Sequence, residues 1–443
     1  MLRRHSVLFF LSATLLSGFL LAFFPTIHQP LFEESGQMRD FAFHLANVSG
    51  FWLHHTGSIY TPEAILRSLS AVLGLTPPPG VSPMPNPFSP SILLIWAPLL
   101  IPLQLSINVA FCSWLAISFG IILTLARQLW LEAVPPQYIS RVWFTLGALA
   151  ILTSPVSRTC FDIGQTSLFA LGISGLLVRQ LLRDEWHPRD DRRGAMLLFL
   201  LSLKAPYFAI GTALLVMERR WRALGAGITI TVAGMLLTEP FGTGHLMKHF
   251  LETLSRYSTQ HAGSRGFYWG EFGSHTPTWL NSSAGFIPDD TRLFINSCAI
   301  GLGGLLYGTL FLKSARFDRQ LRLTITTSLV VGVYLCFSPY LGFYDQLLIV
   351  LPVFAALQPA SLDSRTLAFA VIGSLSFSLS SFQPLVAVFA QKLLFLLSLA
   401  GYFVHRSKNR TPILPSLPTK EKTGPVIDFS SHSAADIHDR ETR

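Results

Sequence analysis

Long runs of apolar residues constrain this chain of 443 residues more than any other feature. The clearer runs are about 20 residues long, which is the length that a helix needs to cross a hydrocarbon core of about 30 Å. Half of the residues are hydrophobic and 13% are charged, whereas a soluble domain carries about 25% charged residues. The sequence therefore predicts an all-α polytopic membrane protein that forms one large bundle.

The predicted spans are 7–24, 141–157, 167–183, 221–238, 293–312, 322–337, 345–358, 366–381 and 384–404. Two further stretches do not fit one simple pass. Residues 91–126 are too long and contain Pro98 and Pro102, and residues 194–217 are interrupted by Lys204-Ala205-Pro206. Irregular backbone at membrane depth is tolerated only where protein buries it or water reaches it, so both stretches point to a cavity. The total is about 10 to 12 transmembrane helices.

The net charge of +9 follows the topology of the chain. Lys and Arg gather in short segments: Arg3-Arg4, Arg183 to Arg193, Arg219 to Arg222, Lys313 to Arg322, and Arg406 to Arg410. The positive-inside rule predicts that these segments are cytoplasmic, with both termini inside and the first span kept as an uncleaved signal anchor. We therefore expect membrane lipid, and no nucleic acid, as a partner.

The basic segments on both sides of residues 194–217 require the same face of the membrane. One pass cannot satisfy that requirement, so we expect a re-entrant or broken helix pair there. Residues 1–410 are predicted to form the membrane domain, with external loops at 25–90, 239–292 and 338–344. The polar residues 411–443 predict a disordered cytoplasmic tail. The four cysteines form no CxxC pair, so the sequence supports neither a disulfide framework nor a zinc site.

Asp40, shortly after the first span, is the leading candidate for a general base. The aromatic, amphipathic segment from Phe41 to Tyr60 is expected to form helix along the membrane interface, which would hold Asp40 near the bilayer. The alternative is an ordinary solvated carboxylate. His44 follows four residues later on the same helical face, but no second carboxylate is well placed, so we predict no metal.

Three further polar residues lie in or beside apolar runs. A lysine inside such a run is costly, so Lys204 is a candidate to hold a phosphate, or else it snorkels from a helix end. Asp345, after Tyr344, either caps a helix or belongs to a site. Gln165 either donates a hydrogen bond to a polar ligand or caps its helix.

An ordered series of short motifs carries a family resemblance. The series is Asp40-Phe41, Tyr60, Phe88-Ser89-Pro90, Trp96-Ala97-Pro98-Leu99, Gly164-Gln165, Lys204-Ala205-Pro206, Glu218-Arg219-Arg220-Trp221-Arg222, and Ser338-Pro339-Tyr340 through Tyr344-Asp345-Gln346. It resembles glycosyltransferase family 87, the polyprenyl-phosphate-mannose-dependent mannosyltransferase-like proteins of the GT-C superfamily, over about residues 5 to 405.

The resemblance implies a GT-C-type bundle in a bacterial inner membrane, with a periplasmic or extracellular active site. The reaction would move a hexose such as mannose, with inversion, from a polyprenyl-phosphate donor to a hydroxyl of a glycan or glycolipid acceptor, without a cofactor. Asp40 would be the base, and the expected substrate- or donor-binding residues are Tyr60, Gln165, Lys204, Tyr344 and Asp345.

Two features depart from the family pattern. Tyr344-Asp345 stands where mannosyltransferases of the family often have histidines, and Phe88-Ser89-Pro90 replaces the more usual Tyr-Pro-Pro. The departures bear on the identity of the sugar and acceptor.

A transporter or flippase for a lipid-linked or amphiphilic substrate is the alternative function. Such a protein also uses broken helices and intramembrane charge, and an inverted repeat would favour it. The sequence shows no such repeat, and the long aromatic first external loop favours the enzyme. A non-catalytic scaffold is a third possibility.

Overall fold

The computed structural model describes residues 39–74, 86–132, 138–152, 155–183, 185–263, 289–317, 319–337, 345, 347–348 and 350–356. Within these ranges the chain is helical and contains no strand. They all belong to the first of two compact units, Met1–Leu399. The predicted spans 7–24, 366–381 and 384–404 and the predicted tail 411–443 lie outside the described residues.

The α-helices are, in chain order, α1 (Arg39–Leu53), α2 (Pro62–Leu73), α3 (Ile92–Ile95), α4 (Leu100–Leu103), α5 (Ile107–Glu132), α6 (Tyr138–Leu152), α7 (Pro155–Ile163), α8 (Ser167–Leu181), α9 (Pro188–Leu201), α10 (Ala205–Met217), α11 (Trp221–Thr238), α12 (Leu246–Gly263), α13 (Asp289–Leu312), α14 (Arg319–Phe337) and α15 (Val350–Ala356). Short 3₁₀ helices cover Ala97–Leu99, Glu239–Phe241 and Ser314–Arg316.

Helix α8 lies at the centre of the bundle. It packs against α5, α9, α10 and α15, and every residue in it except Leu176 is buried. A mostly apolar helix needs a protein interior or lipid around it, and protein covers α8. The sequence predicted a membrane span at 167–183, and a helix of 15 residues occupies Ser167–Leu181.

Two helices in the described ranges are long and apolar enough to cross a membrane: Ile107–Leu131 and Trp221–Phe241. A third span results if Val156–Ile163 and Ser167–Leu181, which meet at 116°, are counted together. The described part of the chain therefore supports two or three spans, and the predicted total of about 10 to 12 stays a prediction.

The predicted break at Lys204-Ala205-Pro206 is confirmed. Helix α9 ends at Leu201 and α10 begins at Ala205, because Pro206 lacks an amide N–H and suits only the first turn of a new helix. The guanidinium of Arg220, just beyond α10, lies 4.4 Å from the centre of the Trp186 ring, just before α9. The two helices therefore form a hairpin whose ends lie together and whose tip is Ser202 to Lys204. With 14 residues in α9, the tip lies about 21 Å along the axis from the paired ends.

Three of the basic segments predicted to share one face are in contact at the open end of this hairpin. Arg322 forms a two-pronged ion pair with Glu218, with N–O distances of 2.6 and 2.7 Å. Arg319 donates to the backbone carbonyl of Arg183 and lies 3.7 Å from Glu218. The positive-inside rule predicts that these basic segments share one face of the membrane, and their contact is consistent with that prediction.

Helix α1, for which the sequence predicts a position along the membrane interface, is enclosed by protein. Every residue from Phe41 to Phe51 except Phe43 is buried. The Trp52 indole donates a 2.9 Å hydrogen bond to the carbonyl of Leu93, which joins α1 to α3. An amphipathic pattern predicts one covered face, but α2 and the residues around α3 cover the others as well.

The turn between α7 and α8 requires glycine at position 164. Gly164 has φ of +71°, and a Cβ at this position would lie 2.5 Å from the Phe41 Cβ and 2.9 Å from a ring carbon of Phe111. Both the backbone conformation and the packing therefore exclude a side chain. This close approach brings α1 against the turn.

Gly164→Ala should lower the free energy of unfolding by about 1–3 kcal/mol, because it combines overpacking with a strained backbone. Thermal unfolding of the purified protein in detergent measures the change. Gly225→Ala, at a position in α11 with nothing within 4 Å, is the matched control and should leave the midpoint unchanged or raise it. Equal midpoints for the two variants would show that the turn has room for a side chain.

Candidate active site

Asp40 and Gln165 are in direct contact. Asp40 lies in the first turn of α1, where the helix dipole favours a carboxylate. The Gln165 side-chain amide donates a hydrogen bond to Asp40 Oδ2. The Gln165 backbone N–H donates to the carbonyl of Cys160 at 2.9 Å, and Trp114 donates to the carbonyl of Gly164 at 3.2 Å. These two hydrogen bonds fix the backbone of the turn. The Gln165 side chain hydrogen-bonds to Asp40 and does not cap α8.

A buried ion pair joins Lys204 to Asp345. The Lys204 ammonium lies 3.2 Å from both carboxylate oxygens, and the two side chains are 6% and 0% exposed. The same carboxylate accepts hydrogen bonds from Tyr207 at 2.5 Å, Ser167 at 2.9 Å and Tyr334 at 2.9 Å. One carboxylate therefore ties α8, α10 and α14 to the tip of the hairpin.

This arrangement decides between the alternatives left open by the sequence. Snorkelling is excluded for Lys204 because its ammonium is buried. Asp345 does not cap α15, which begins at Val350. The charge of Lys204 is compensated by Asp345, so any phosphate at this position would have to share the ammonium with a carboxylate.

The Asp40–Gln165 contact and the Lys204–Asp345 pair meet at one turn of the chain. Gln165 donates a hydrogen bond to Asp40, and Ser167, two residues later, donates one to Asp345. The buried Cys160 lies within electrostatic range of Asp345, Lys204 and Asp40 together. We call Asp40, Gln165, Ser167, Lys204 and Asp345 the polar site.

Tyr60 lies beside the polar site and not in it. Its hydroxyl donates a 2.9 Å hydrogen bond to the carbonyl of Phe88, and Ser89 then bonds to the backbone of Leu203 and Ser202 at the hairpin tip. Burial raises the pKa of Tyr60 well above its ordinary value, and the negative charge of Glu239 raises it further, so the hydroxyl stays protonated and donates. Tyr60 positions the loop that supports the tip.

His44 lies one helical turn after Asp40 and is 6% exposed. Burial, together with the smaller effect of the positive charge of Lys204, lowers its pKa to about 3, so the imidazole is neutral at physiological pH. No group of three or more His, Cys, Asp or Glu side chains able to hold a metal occurs among the residues that the structure describes. His54 and His55 are exposed.

Arg158 and Arg265 are alternatives to Lys204 as the cation that would hold a phosphate. Arg158 is exposed and lies 3.6 Å from Asp162, four residues later on the same helix. Arg265 and Tyr344 lie outside the described residues.

Sequence reasoning missed the hydroxyl groups that surround Asp345. Tyr207 follows Lys204 by three residues and so lies about one helical turn away, which was a usable signal. Tyr334 lies in the mostly apolar stretch Leu329 to Phe337, and Ser167 opens α8, but nothing local indicates that either points to Asp345. Their common partner is 11 and 178 residues away in the chain.

A family model matches more than half of the chain: glycosyltransferase family 87, over residues 88–339. The matched range includes Gln165, Ser167 and Lys204. It begins after Asp40 and ends before Asp345. No curated protein and no solved structure matches the chain.

Breaking the Lys204–Asp345 pair should be costly and the two changes should not be additive. Asp345→Leu leaves a buried ammonium and three hydroxyls without their acceptor, and we expect a loss of about 3–5 kcal/mol in unfolding free energy. Lys204→Met should cost less, because the hydroxyls still stabilise the carboxylate. The double variant should be less destabilised than the sum of the single variants. Chemical or thermal unfolding in detergent measures all three.

The exposed ion pair of Lys248 and Glu252 is the control for this series. Lys248→Met should change the stability by less than about 1 kcal/mol, because exposed ion pairs contribute little. Strict additivity in the double variant would contradict a direct interaction between Lys204 and Asp345.

His44 should make the stability depend on pH. Its folded pKa of about 3 lies below the ordinary 6.5. Below pH 6.5 the imidazole takes up a proton in the unfolded protein but not in the folded one. The free energy of unfolding is therefore unaffected above pH 6.5 and falls with the pH below it, by at most about 1.4 kcal/mol per pH unit. His44→Leu should therefore flatten the decline in unfolding midpoint between about pH 7 and about pH 5. Parallel profiles for the variant and the unaltered protein would contradict the neutral imidazole.

Proposed function

Because this chain belongs to glycosyltransferase family 87, we propose that it is a membrane hexosyltransferase that moves a sugar from a polyprenyl-phosphate donor to a hydroxyl group of a glycan or glycolipid. The observation that carries the proposal is the turn at Gln165 to Ser167, which joins a candidate base to a buried cation. Glycosyl transfer from a phosphate requires both groups, one to remove a proton and one to stabilise the leaving phosphate.

Asp40 is the proposed base. It takes the proton of the acceptor hydroxyl while the acceptor oxygen forms a bond to C1 of the donor sugar. The C1–O bond to the phosphate breaks, and its electron pair leaves with the phosphate through an oxocarbenium-like transition state. Attack opposite to the leaving group inverts the anomeric centre. The Gln165 amide supports this role because it orients the carboxylate through Oδ2.

Lys204 is the proposed partner of the leaving phosphate. Asp345 holds the ammonium in place before the substrate arrives, which is the preorganisation that electrostatic stabilisation needs. When the ammonium turns toward the phosphate, the hydroxyls of Ser167, Tyr207 and Tyr334 still donate to Asp345. The carboxylate is therefore not left unpaired during the reaction.

The positions of the basic segments indicate which side of the membrane the polar site faces. Three basic segments meet at the open end of the α9–α10 hairpin, and the tip with Lys204 lies about 21 Å away along the helices. If the basic end is cytoplasmic, as the positive-inside rule requires, then the polar site opens toward the non-cytoplasmic side. We propose that face of a bacterial inner membrane as the place of transfer, with mannose as the first sugar to test and with no cofactor or metal.

The test is a transfer assay with the purified full-length protein, polyprenyl-phosphate mannose or glucose, and acceptor glycolipids from the membrane. Asp40→Asn should lower turnover about 10²- to 10⁴-fold, the usual contribution of a general base. Release of free polyprenyl phosphate is measured with the product, because a transporter or flippase would release none.

Glu63→Gln is the matched control for Asp40→Asn. Glu63 also lies in the first turn of a helix in the same segment, but it is exposed, so its loss should leave turnover unchanged. A folded Asp40→Asn protein with normal turnover would exclude Asp40 as the base.

A further inference from the structure

Three buried polar groups near Asp40 have no hydrogen-bond partner in the described part of the protein. They are Nδ1 of His44, Nδ2 of Asn86 and Nε1 of Trp96, on side chains that are 6%, 0% and 0% exposed. A buried polar group without a hydrogen-bond partner destabilises the folded protein. Native proteins pair nearly all such groups, so three together indicate a missing partner.

The three groups belong to side chains and a loop that pack around His44 and Phe88. The His44 ring stands edge-on to Phe88, with ring centres 4.3 Å apart, and edge-on to Trp96 at 6.2 Å. Asn86 belongs to the same loop as Phe88, whose backbone N–H donates to the Asn86 Oδ1 at 3.1 Å. This bond sets the orientation of the amide and leaves its Nδ2 as the unsatisfied atom. Trp96 also packs on Phe41, the residue that follows Asp40, with ring centres 5.4 Å apart.

The chemistry of these groups selects a class of ligand. The Trp96 indole and the Asn86 amide nitrogen only donate, so their partner must offer acceptors. A neutral imidazole donates or accepts at Nδ1, according to its tautomer. An ammonium group offers no acceptor, and a carboxylate would be buried near Asp40 while Lys204 is already paired. Hydroxyl groups both donate and accept, and a pyranose ring carries several of them beside apolar C–H faces that suit aromatic neighbours.

We propose that His44, Asn86 and Trp96 form a subsite for the hydroxyl groups of a neutral pyranose ring, one helical turn from Asp40. The subsite deepens the proposed function and rests on it. It excludes sugars with a free amine at this position. The ring belongs either to the donor or to the acceptor, and the two sources share the same recognition chemistry.

The test measures binding in the full-length Asp40→Asn protein, which does not consume the donor. Three probes are compared by calorimetry or thermal shift: a short-chain polyprenyl-phosphate mannose, the same polyprenyl phosphate without sugar, and methyl α-mannoside. Trp96→Phe removes one donor and keeps an aromatic ring. It should raise the Kd of a sugar-bearing probe about 10-fold, equal to about 1.4 kcal/mol, and leave the Kd of the sugar-free phosphate unchanged.

A second variant guards against loss of folding. His44→Leu replaces an unsatisfied polar group by an apolar one, so the unfolding midpoint at about pH 7 should hold or rise while sugar binding weakens. A structural role alone would lower the midpoint. Trp130→Phe is the matched control. Trp130 lies in the last turn of α5 and packs against Phe144, so its replacement should change neither the Kd of the sugar-bearing probe nor that of the sugar-free phosphate.

The outcomes separate the subsite from the proposed function. If the variants raise the Kd of polyprenyl-phosphate mannose alone, the ring belongs to the donor. If they raise the Kd of methyl α-mannoside, the ring belongs to the acceptor. If neither Kd depends on Trp96 or His44, or if no sugar binds, the subsite is overturned and buried water satisfies these groups. If Trp96-dependent binding occurs but the unaltered protein transfers no sugar, the subsite stands and the proposed function fails.

Discussion

The ion pair between Lys204 and Asp345 is the interaction on which the arrangement of the polar site depends. Removing two charges from water costs several kcal/mol for each ion, and their attraction offsets this cost only when the geometry is good and further hydrogen bonds are made. Asp345 meets both conditions, because the ammonium is equidistant from its two oxygens and three hydroxyls donate to it. The pair therefore sets the position of the hairpin tip relative to α8 and α14. Ser167, which donates to Asp345, connects this tip to the turn that carries Gln165.

The turn between α7 and α8 connects the ion pair to Asp40. Gly164 lets α1 approach because it has no side chain, Gln165 bonds to Asp40, and Ser167 bonds to Asp345. Four residues of backbone thus connect a carboxylate near the start of α1 with an ion pair built from residues more than 100 positions apart. For a glycosyltransferase of this family, such rigidity supports the proposed chemistry, because a base and a cation that are held in advance need little rearrangement in the transition state. The unsatisfied groups around His44 and Trp96 mark the part of this region that lacks its partner.

Several features of the fold were predictable because they follow from local rules. The break at Lys204-Ala205-Pro206 follows from proline chemistry, and the bounds of α11 follow from an uninterrupted apolar run between a basic segment and Glu239. The enclosure of α1 was not predictable, since its pattern of polar and apolar residues fits an interface as well as a protein interior. Tyr60 is predicted to contact the substrate, and the structure adds that its hydroxyl donates to the backbone carbonyl of Phe88. A hydroxyl in the sequence does not reveal whether its partner is a ligand or a carbonyl group.

By itself the sequence determined the membrane character, the helical class, the position of the broken helix pair and the residue types with chemical potential, because hydrophobicity, proline and charge act within about one helical turn or one span. It also carried the family resemblance, which the match over residues 88–339 supports. The tertiary structure alone decided that Lys204 is paired with Asp345, that Gln165 serves Asp40, and that His44 is neutral. The physical reason is that burial and electrostatic interaction depend on distance in space, and these partners are brought together only when α1, α8, the hairpin tip and the segment before α15 pack around one turn.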